Sequence, residues 1–439
     1  MPTSTDAAYE AAVRDLFARQ PNRMIPDLDR ITALCDLLGH PEQAYPAIHV
    51  TGTNGKTTTV AMISALLGSL GLSAGSYTSP HLQDVRERIR VAGEPVDRDV
   101  MAAGLDYLVP FLEHVDADHP EPVTFFEVLT ALAFSHFADA PVDVGIFEVG
   151  MGGRWDATNV VSAPVAVLTD ISLDHPELGS VVETVAAEKA GIVKPGATVV
   201  SAAQPDPAME VVATAARKAD GRLVVAGRDF GVLDRQTAVG GQVLTLQGVT
   251  AEVSDVFVPL HGLHQAANAA YALAAVEGFF GFAGGIDPDV IREGFAAVRA
   301  PGRLEVIRAE DTAPVILDGA HNAAGARALA TALATEFAFR HRVFVLGILA
   351  DKDLEAMVAA LLPVAHHIVV TRAPSERGAP ADRLAKIVSA AGHSVEEAGD
   401  VAEALELATG LAGDTDAVVV TGSLYTVGAA RTALGLQPA

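Results

Sequence analysis

Ten residues from His49 to Thr58 narrow the fold of this chain more than any others. They read His-Val-Thr-Gly-Thr-Asn-Gly-Lys-Thr-Thr: the end of an apolar strand, a turn carrying Gly52 and Gly55, then Lys56-Thr57 at the head of a helix-forming run. Glycines let backbone N–H groups converge on a phosphate, a helix N-terminus adds partial positive charge, and Lys and Thr supply a counter-charge and a Mg²⁺-facing hydroxyl. Thr53, Asn54, Gly55, Lys56 and Thr57 are therefore candidate phosphate-binding residues. The spacing departs from GxxxxGK[ST], because Val50 stands five before Gly55. A Gly-rich turn that holds no nucleotide is the competing reading.

Short Val- and Ile-rich runs alternate with Ala- and Leu-rich stretches, the pattern of β-α units around a mainly parallel sheet. Strands are predicted at Ile48 to Thr51, Asp143 to Val149, Pro164 to Thr169 and Thr198 to Ser201, and helices at about Lys56 to Leu70, Thr124 to Phe137, Ser180 to Ala190 and His264 to Phe280. Between Phe230 and Pro259, short alternating segments broken by Gly240-Gly241 and Gly248 read as antiparallel hairpins. A fresh β-α series begins after Arg299-Ala300-Pro301-Gly302, with strands at Val315 to Leu317, Arg342 to Gly347, His367 to Thr371 and Asp416 to Thr421. The fold expected is α/β. An N-terminal domain, 1–299, has a mainly parallel sheet with a small antiparallel β insertion, and a Rossmann-like C-terminal α/β domain spans 300–439.

The 55 acidic and 30 basic residues give a formal charge of −25. Nucleic acids are bound through basic surfaces, so such a partner is not expected. Anionic substrates would instead need a local positive field from a lysine, a metal ion and helix N-termini. Cys35, the single cysteine, sits among leucines and reads as an inert core thiol. No apolar run approaches the ~20 residues of a membrane helix, and the polar, partly acidic start is unlike a secretory signal. A cytoplasmic protein without a membrane partner is the expectation.

Two further positions carry chemistry on their own terms. Glu148 ends an apolar strand, where ligands bind in open α/β sheets, and His175 follows the next strand in a turn; both could converge on divalent ions, or be a solvent-exposed carboxylate and a surface histidine.

The Gly-Thr-Asn-Gly-Lys-Thr loop resembles that of the Mur ligase superfamily, and further blocks resemble its folylpolyglutamate synthase/dihydrofolate synthase branch. They are Tyr77-Thr78-Ser79-Pro80-His81-Leu82 with Arg86-Glu87-Arg88-Ile89, Thr124-Phe125-Phe126-Glu127, and Glu148-Val149-Gly150-Met151-Gly152-Gly153-Arg154-Trp155-Asp156-Ala157-Thr158-Asn159. Leu173-Asp174-His175, Glu188-Lys189-Ala190-Gly191, His264-Gln265 with Asn268, Pro301-Gly302-Arg303-Leu304, Leu317-Asp318-Gly319-Ala320-His321-Asn322, Asp351-Lys352-Asp353 and Thr421-Gly422-Ser423-Leu424-Tyr425 follow in order. Two positions depart: Ala323 stands where the family commonly has Pro, and Lys-Thr-Thr replaces the Lys-Gly-Ser or Lys-Gly-Thr frequent in this branch.

The resemblance implies an ADP-forming, ATP-dependent carboxylate–amine ligase. The γ-phosphoryl of ATP would activate the carboxylate of dihydropteroate or the γ-carboxylate of a folate, and L-glutamate would attack the acyl phosphate. It implies one or two Mg²⁺ ions held by Ser79, Glu148 and His175, and a catalytic Lys189, often carbamylated in this superfamily. Asn268 would meet the adenine, Arg303 and Asp318 the ATP phosphate and ribose, and His321 with Ser423 the glutamate. Met24, Ile25, Pro26, Asp27, Phe126 and Asp156 are implied on the pterin side.

Without the resemblance, Lys189 reads as a helix-end cation, Asn268 as a capping or packing residue, Phe126 as core, and Arg303 and Asp318 as surface charges. Lys56, Lys189 and His321 are the catalytic candidates; a monomer acting on ATP, glutamate and a pteroate or reduced folate is expected. The alternatives are a Mur-type peptidoglycan ligase, disfavoured by the roughly 47 residues before the phosphate strand, and a P-loop ATPase switch.

Overall fold

The computed structural model describes residues 4–20, 25–173, 176–308 and 312–438. Eight strands form the first sheet: β1 Ala47–Thr51, β2 Ala74–Tyr77, β3 Ile89–Val91, β4 Glu94–Pro95, β5 Val144–Glu148, β6 Val165–Leu168, β7 Thr198–Ser201 and β8 Arg222–Val225. Their spatial order is β4-β3-β2-β5-β1-β6-β7-β8, parallel from β2 to β8, with β3 and β4 added antiparallel at one edge.

Every residue of β1 and β5 is buried, as expected of strands covered on both faces. Alternation along β1 sends Ile48 and Val50 into one apolar core and Ala47 into another. Polar His49 points the same way as Ala47.

The hairpin prediction holds: β9 Gly231–Ala238, β10 Gly241–Gln247 and β11 Glu252–Val258 form a three-stranded antiparallel sheet. Leu244, Leu246, Val253, Val256 and Val258 join the same core as the helices Lys56–Ser69 and Leu263–Phe279. The insertion therefore has no core of its own.

The second sheet contains β12 Glu305–Ile307, β13 Val315–Leu317, β14 Arg342–Leu346, β15 His367–Val370, β16 Val395–Glu397 and β17 Ala417–Thr421, in the order β12-β13-β17-β14-β15-β16. All pair in parallel except β12. Separate cores cover its two faces. The chain leaves the first unit between Val298, still in the N-terminal core, and Leu304, already in the C-terminal one. No helix among the described residues is long and apolar enough to cross a membrane.

The two units are tied by buried polar contacts. Glu336 ends the C-terminal helix Ala323–Glu336, with its side chain only 1% exposed. It accepts from Gly262 N at 3.0 Å and from Arg235 Nη2, while His261 Nδ1 stands 3.4 Å away. One carboxylate thus holds both the hairpin sheet and the first turn of Leu263–Phe279 against the other domain. Burial alone would raise the Glu336 pKa, but His261, the Gly262 N–H and Arg235 together hold it below the usual glutamate value.

A group depressed on folding stabilises above its unfolded pKa, about 4.3 for Glu, and loses that contribution as pH falls through the folded value. Glu336→Gln should therefore lower stability at neutral pH by about 3 kcal/mol, the cost of stranding a buried partner. The difference from wild type should shrink as denaturation is measured at successively lower pH below about 4.

Candidate active site

The loop after β1 is held from behind by the residues after β6. Thr53 N donates to Asp170 O at 2.6 Å, Thr53 Oγ1 donates to Ser172 O at 2.9 Å, and Thr169 Oγ1 donates to Asn54 O at 2.7 Å. Gly52 and Gly55 lie at φ 150° and 86°. A Cβ on Gly52 would fall 1.8 Å from Thr169 Oγ1, and one on Gly55 would fall 2.4 Å from Asn268 Oδ1. Both glycines are therefore demanded by backbone angle and by close approach. The helix Lys56–Ser69 begins with no side-chain cap, leaving its first N–H groups for a ligand. Lys56 Nζ donates to Gly52 O and Thr53 O at 3.1 and 3.2 Å, folded over the loop it is placed to serve.

A cavity of about 560 Å³ opens over this loop and is lined from both domains. The first contributes Thr53, Asn54, Gly55, Lys56, Thr57, Ser79, Glu148, Lys189 and Asn268, and the second Arg303, Asp318, His321 and Ser423. Every one of these was singled out in the sequence as an ATP, metal, catalytic or glutamate candidate.

Glu148 is 1% exposed, which removes the reading of a solvated strand end. Thr57 Oγ1 donates to its Oε1 at 3.0 Å and Ser79 N to its Oε2 at 3.2 Å. Burial pushes its carboxyl up, opposed by Lys56, the Thr57 hydroxyl, the Ser79 N–H and Arg303. The Glu148 carboxylate and Thr57 hydroxyl, beside Ser79, form a hard-oxygen set of the kind Mg²⁺ takes when phosphates and water complete its shell. Among the described residues no group of three or more His, Cys, Asp or Glu could hold a metal alone. His175 and Met24 lie outside the described residues.

Lys189, the last residue of Val182–Lys189, is buried and donates to Gly52 O at 2.7 Å, reaching the phosphate loop instead of solvating a helix end. Asn268 packs against Gly55 and donates to Gln265 Oε1 at 2.8 Å. Asp318 is buried, accepting from Leu304 N and Ala320 N, both at 3.0 Å. Burial raises its pKa against the pull of Arg303 and those two N–H groups. A surface-charge reading of Asp318 is excluded.

His321 Nδ1 faces Gly319 O at 2.9 Å, so this nitrogen carries the proton in the neutral ring. Ser423 caps Leu424–Ala433 through Thr426 N.

Among the described residues, the pterin-side candidates Ile25, Pro26, Asp27, Phe126 and Asp156 do not line this cavity. Phe126 and Asp156 meet behind its wall: a Cβ on Gly150, which does line it, would stand 2.7 Å from the Phe126 ring and 3.2 Å from Asp156 Oδ2. Phe126 is half-buried against Tyr77, at 5.8 Å between ring centroids. Asp27 bonds Arg30, which bonds Glu127, so the Ile25-Pro26-Asp27 segment is tied to the start of Phe125–Asp139. Asp156 accepts from Met151 N, Thr158 N and Thr158 Oγ1 at 3.0, 3.0 and 2.6 Å. It is buried, with its oxygens engaged in shaping the Gly150–Met151 turn.

Sequence reasoning gave no role to Asn322, whose Nδ2 donates to Asn54 Oδ1 at 3.0 Å across the domain boundary. It assigned none to Gln265, Lys352 or Arg377 either, all on the cavity wall.

The model of the Mur ligase middle domain matches residues 50–276, and that of the Mur ligase glutamate ligase domain matches residues 302–424. Two α/β units closing over a phosphate loop make this an ATP-dependent ligase of the Mur type. The dihydrofolate synthase/folylpolyglutamate synthase of Mycobacterium tuberculosis is 44% identical over an alignment covering 100% of this chain and 96% of that protein. The solved Mycobacterium tuberculosis folylpolyglutamate synthase complexed with ADP superposes with a TM-score of 0.95 at 44% identity, covering 99% of this chain and 100% of that one. A solved FPGS–AMPPCP–folate complex matches at a TM-score of 0.85 and 34% identity, over 97% of this chain and 99% of that one. The chain belongs to the dihydrofolate synthase/folylpolyglutamate synthase family.

Gly55→Ala should weaken binding of an ATP analogue by about five- to a hundredfold by calorimetry, because the strained backbone and the clash with Asn268 together cost about 1–3 kcal/mol in this one turn.

Proposed function

We propose that this chain joins L-glutamate to dihydropteroate, to the γ-carboxylate of a folate, or to both, with release of ADP and phosphate. The observation that carries the reading is the shared cavity: the phosphate loop of one domain faces Arg303, Asp318, His321 and Ser423 of the other. A carboxylate has a poor leaving group, and phosphorylation replaces it with a good one. Lys56 and the uncapped N-terminus of Lys56–Ser69 would hold the β- and γ-phosphates, while Arg303 balances charge from the opposite wall. The glutamate amine then attacks the acyl carbon, and phosphate departs as the amide forms. His321 and Ser423 are proposed to hold the glutamate and Asn268 the adenine. The pteridine would lie beyond Gly150, against Phe126 and the Ile25–Asp27 segment. Asp156 would shape that wall.

Glu148, Thr57 and Ser79 would hold Mg²⁺, which would offset negative charge on the transferring phosphoryl group. Lys189 reaches the same loop, so its carbamylation would place an anionic oxygen donor there. Domain closure excludes water and so protects the acyl phosphate. We assign the hinge to residues 300–302, dividing domains at 299/300, and propose that the enzyme works as a cytoplasmic monomer.

The test is to incubate protein, Mg²⁺-ATP and L-glutamate with no acceptor, dihydropteroate or tetrahydrofolate, following ADP and the product mass. Glutamate conjugates that Lys56→Ala reduces at least a hundredfold support the ligase. ADP release without acceptor and without conjugate would return the ATPase switch.

A further inference from the structure

Three arginines are buried among the described residues: Arg30, Arg88 and Arg431. Arg30 is paired with Glu127 and Arg431 with Glu305. Arg88, 7% exposed, has no carboxylate within ion-pair distance among the described residues. Buried charges are normally paired, so a fixed guanidinium with none invites an anion from outside.

The side chain is held firmly at its near end. Arg88 closes the short turn Val85–Arg88, which is fixed by an Asp84/Glu87 capping box, and its carbonyl accepts from Thr78 N at 2.9 Å. Its Nε donates to His81 Nδ1 at 2.9 Å, and its guanidinium carbon lies 5.1 Å from the centre of the Phe125 ring. The donor is Arg88 Nε, so His81 Nδ1 is the acceptor of this bond. Phe17 closes on His81 edge-to-face at 6.2 Å. No nitrogen of Arg88 is both sealed and unbonded, so donors left over from this support stay reachable.

The far end lies beside the cavity without lining it. The Tyr77 hydroxyl stands beside the guanidinium as a neutral partner that an incoming anion would displace or share, and Tyr425 and Glu148, which line the cavity, lie within electrostatic range. Tyr77 also packs on Phe126, on the proposed pteridine side, whereas Tyr425 follows Ser423 in the loop proposed for glutamate. Arg88 therefore sits behind the cavity wall, between the side proposed for the pteridine and the loop proposed for glutamate.

We propose that Arg88 receives a substrate carboxylate through its terminal nitrogens, a role that rests on the ligase reading above. A guanidinium fork with its Nε already fixed offers parallel N–H bonds at little further loss of freedom, which suits a carboxylate. The carboxylate comes either from L-glutamate or from the pteroate or folate acceptor, and kinetics separate the two.

Arg88→Gln and Arg88→Lys are assayed with Mg²⁺-ATP, the acceptor and L-glutamate, with 4-aminobutyrate (no α-carboxylate) and 2-aminobutyrate (no γ-carboxylate) as alternative amines. The expected result is a KM for one carboxylate substrate raised at least tenfold in Arg88→Gln, partly restored in Arg88→Lys, with the KM for ATP within twofold of wild type. If glutamate is the source, the preference for it over one of the two amines collapses in Arg88→Gln. If the acceptor is the source, that preference stays and the pteroate or folate KM rises. Unchanged KM values for both in a folded Arg88→Gln overturn the inference. So does an equal rise in the KM for ATP. Should Arg88→Gln fail to fold, wild-type KM values in Arg88→Lys overturn it equally. Wild-type protein that forms no conjugate sinks the ligase reading itself, a result separate from any of these.

Discussion

Everything at the site depends on how the loop after β1 is clamped to the residues after β6. The Thr53–Asp170, Thr53–Ser172 and Asn54–Thr169 bonds fix the backbone that must face the phosphates, and the fit is close enough that Gly52 has no room for a Cβ. Other groups take their places from that loop. Lys56 and Lys189 bond its carbonyls, Asn268 packs on Gly55, and Asn322 reaches Asn54 from the second domain. A cradle assembled this way is organised before substrate arrives, which is where electrostatic catalysis gains most.

The chain carries a charge of −25, yet its cavity is lined by Lys56, Lys189, Arg303, Lys352 and Arg377 against Glu148, Asp170 and Asp318. A locally positive site on an acidic molecule suits polyanionic substrates, since neighbouring charges matter more than distant ones screened by solvent. The acids are not surplus. Glu148 and Asp318 are buried and held by N–H and hydroxyl donors, so each is a fixed acceptor and not part of the general acidity.

Much of this was legible in the sequence. The strands at Ala47–Thr51, Val144–Glu148, Thr198–Ser201 and Ala417–Thr421 fell where continuous Val and Ile runs require two covered faces. Helix Arg98–Asp118 was not singled out; Pro110 stands inside it and blurs the helical signal. Loop residues were readable because local spacing defines them. Asn322 was not, because its partner Asn54 is 268 positions away and nothing local marks the contact. Burial was also unreadable: a strand-end Glu, a helix-end Lys and a turn Arg look alike whether solvated or enclosed. Only the packing of Thr57, Gly52 and Phe125 around Glu148, Lys189 and Arg88 decides between those readings.

The central claim is that the cavity between the domains activates a carboxylate by phosphorylation. The most direct measurement uses an acceptor with ¹⁸O in its reacting carboxylate and follows the label by mass spectrometry. Transfer of one labelled oxygen into released phosphate, in step with conjugate formation, is the predicted result, because the acyl carbon–oxygen bond breaks when the amine displaces phosphate. Conjugate formed with both labels absent from phosphate would contradict the account.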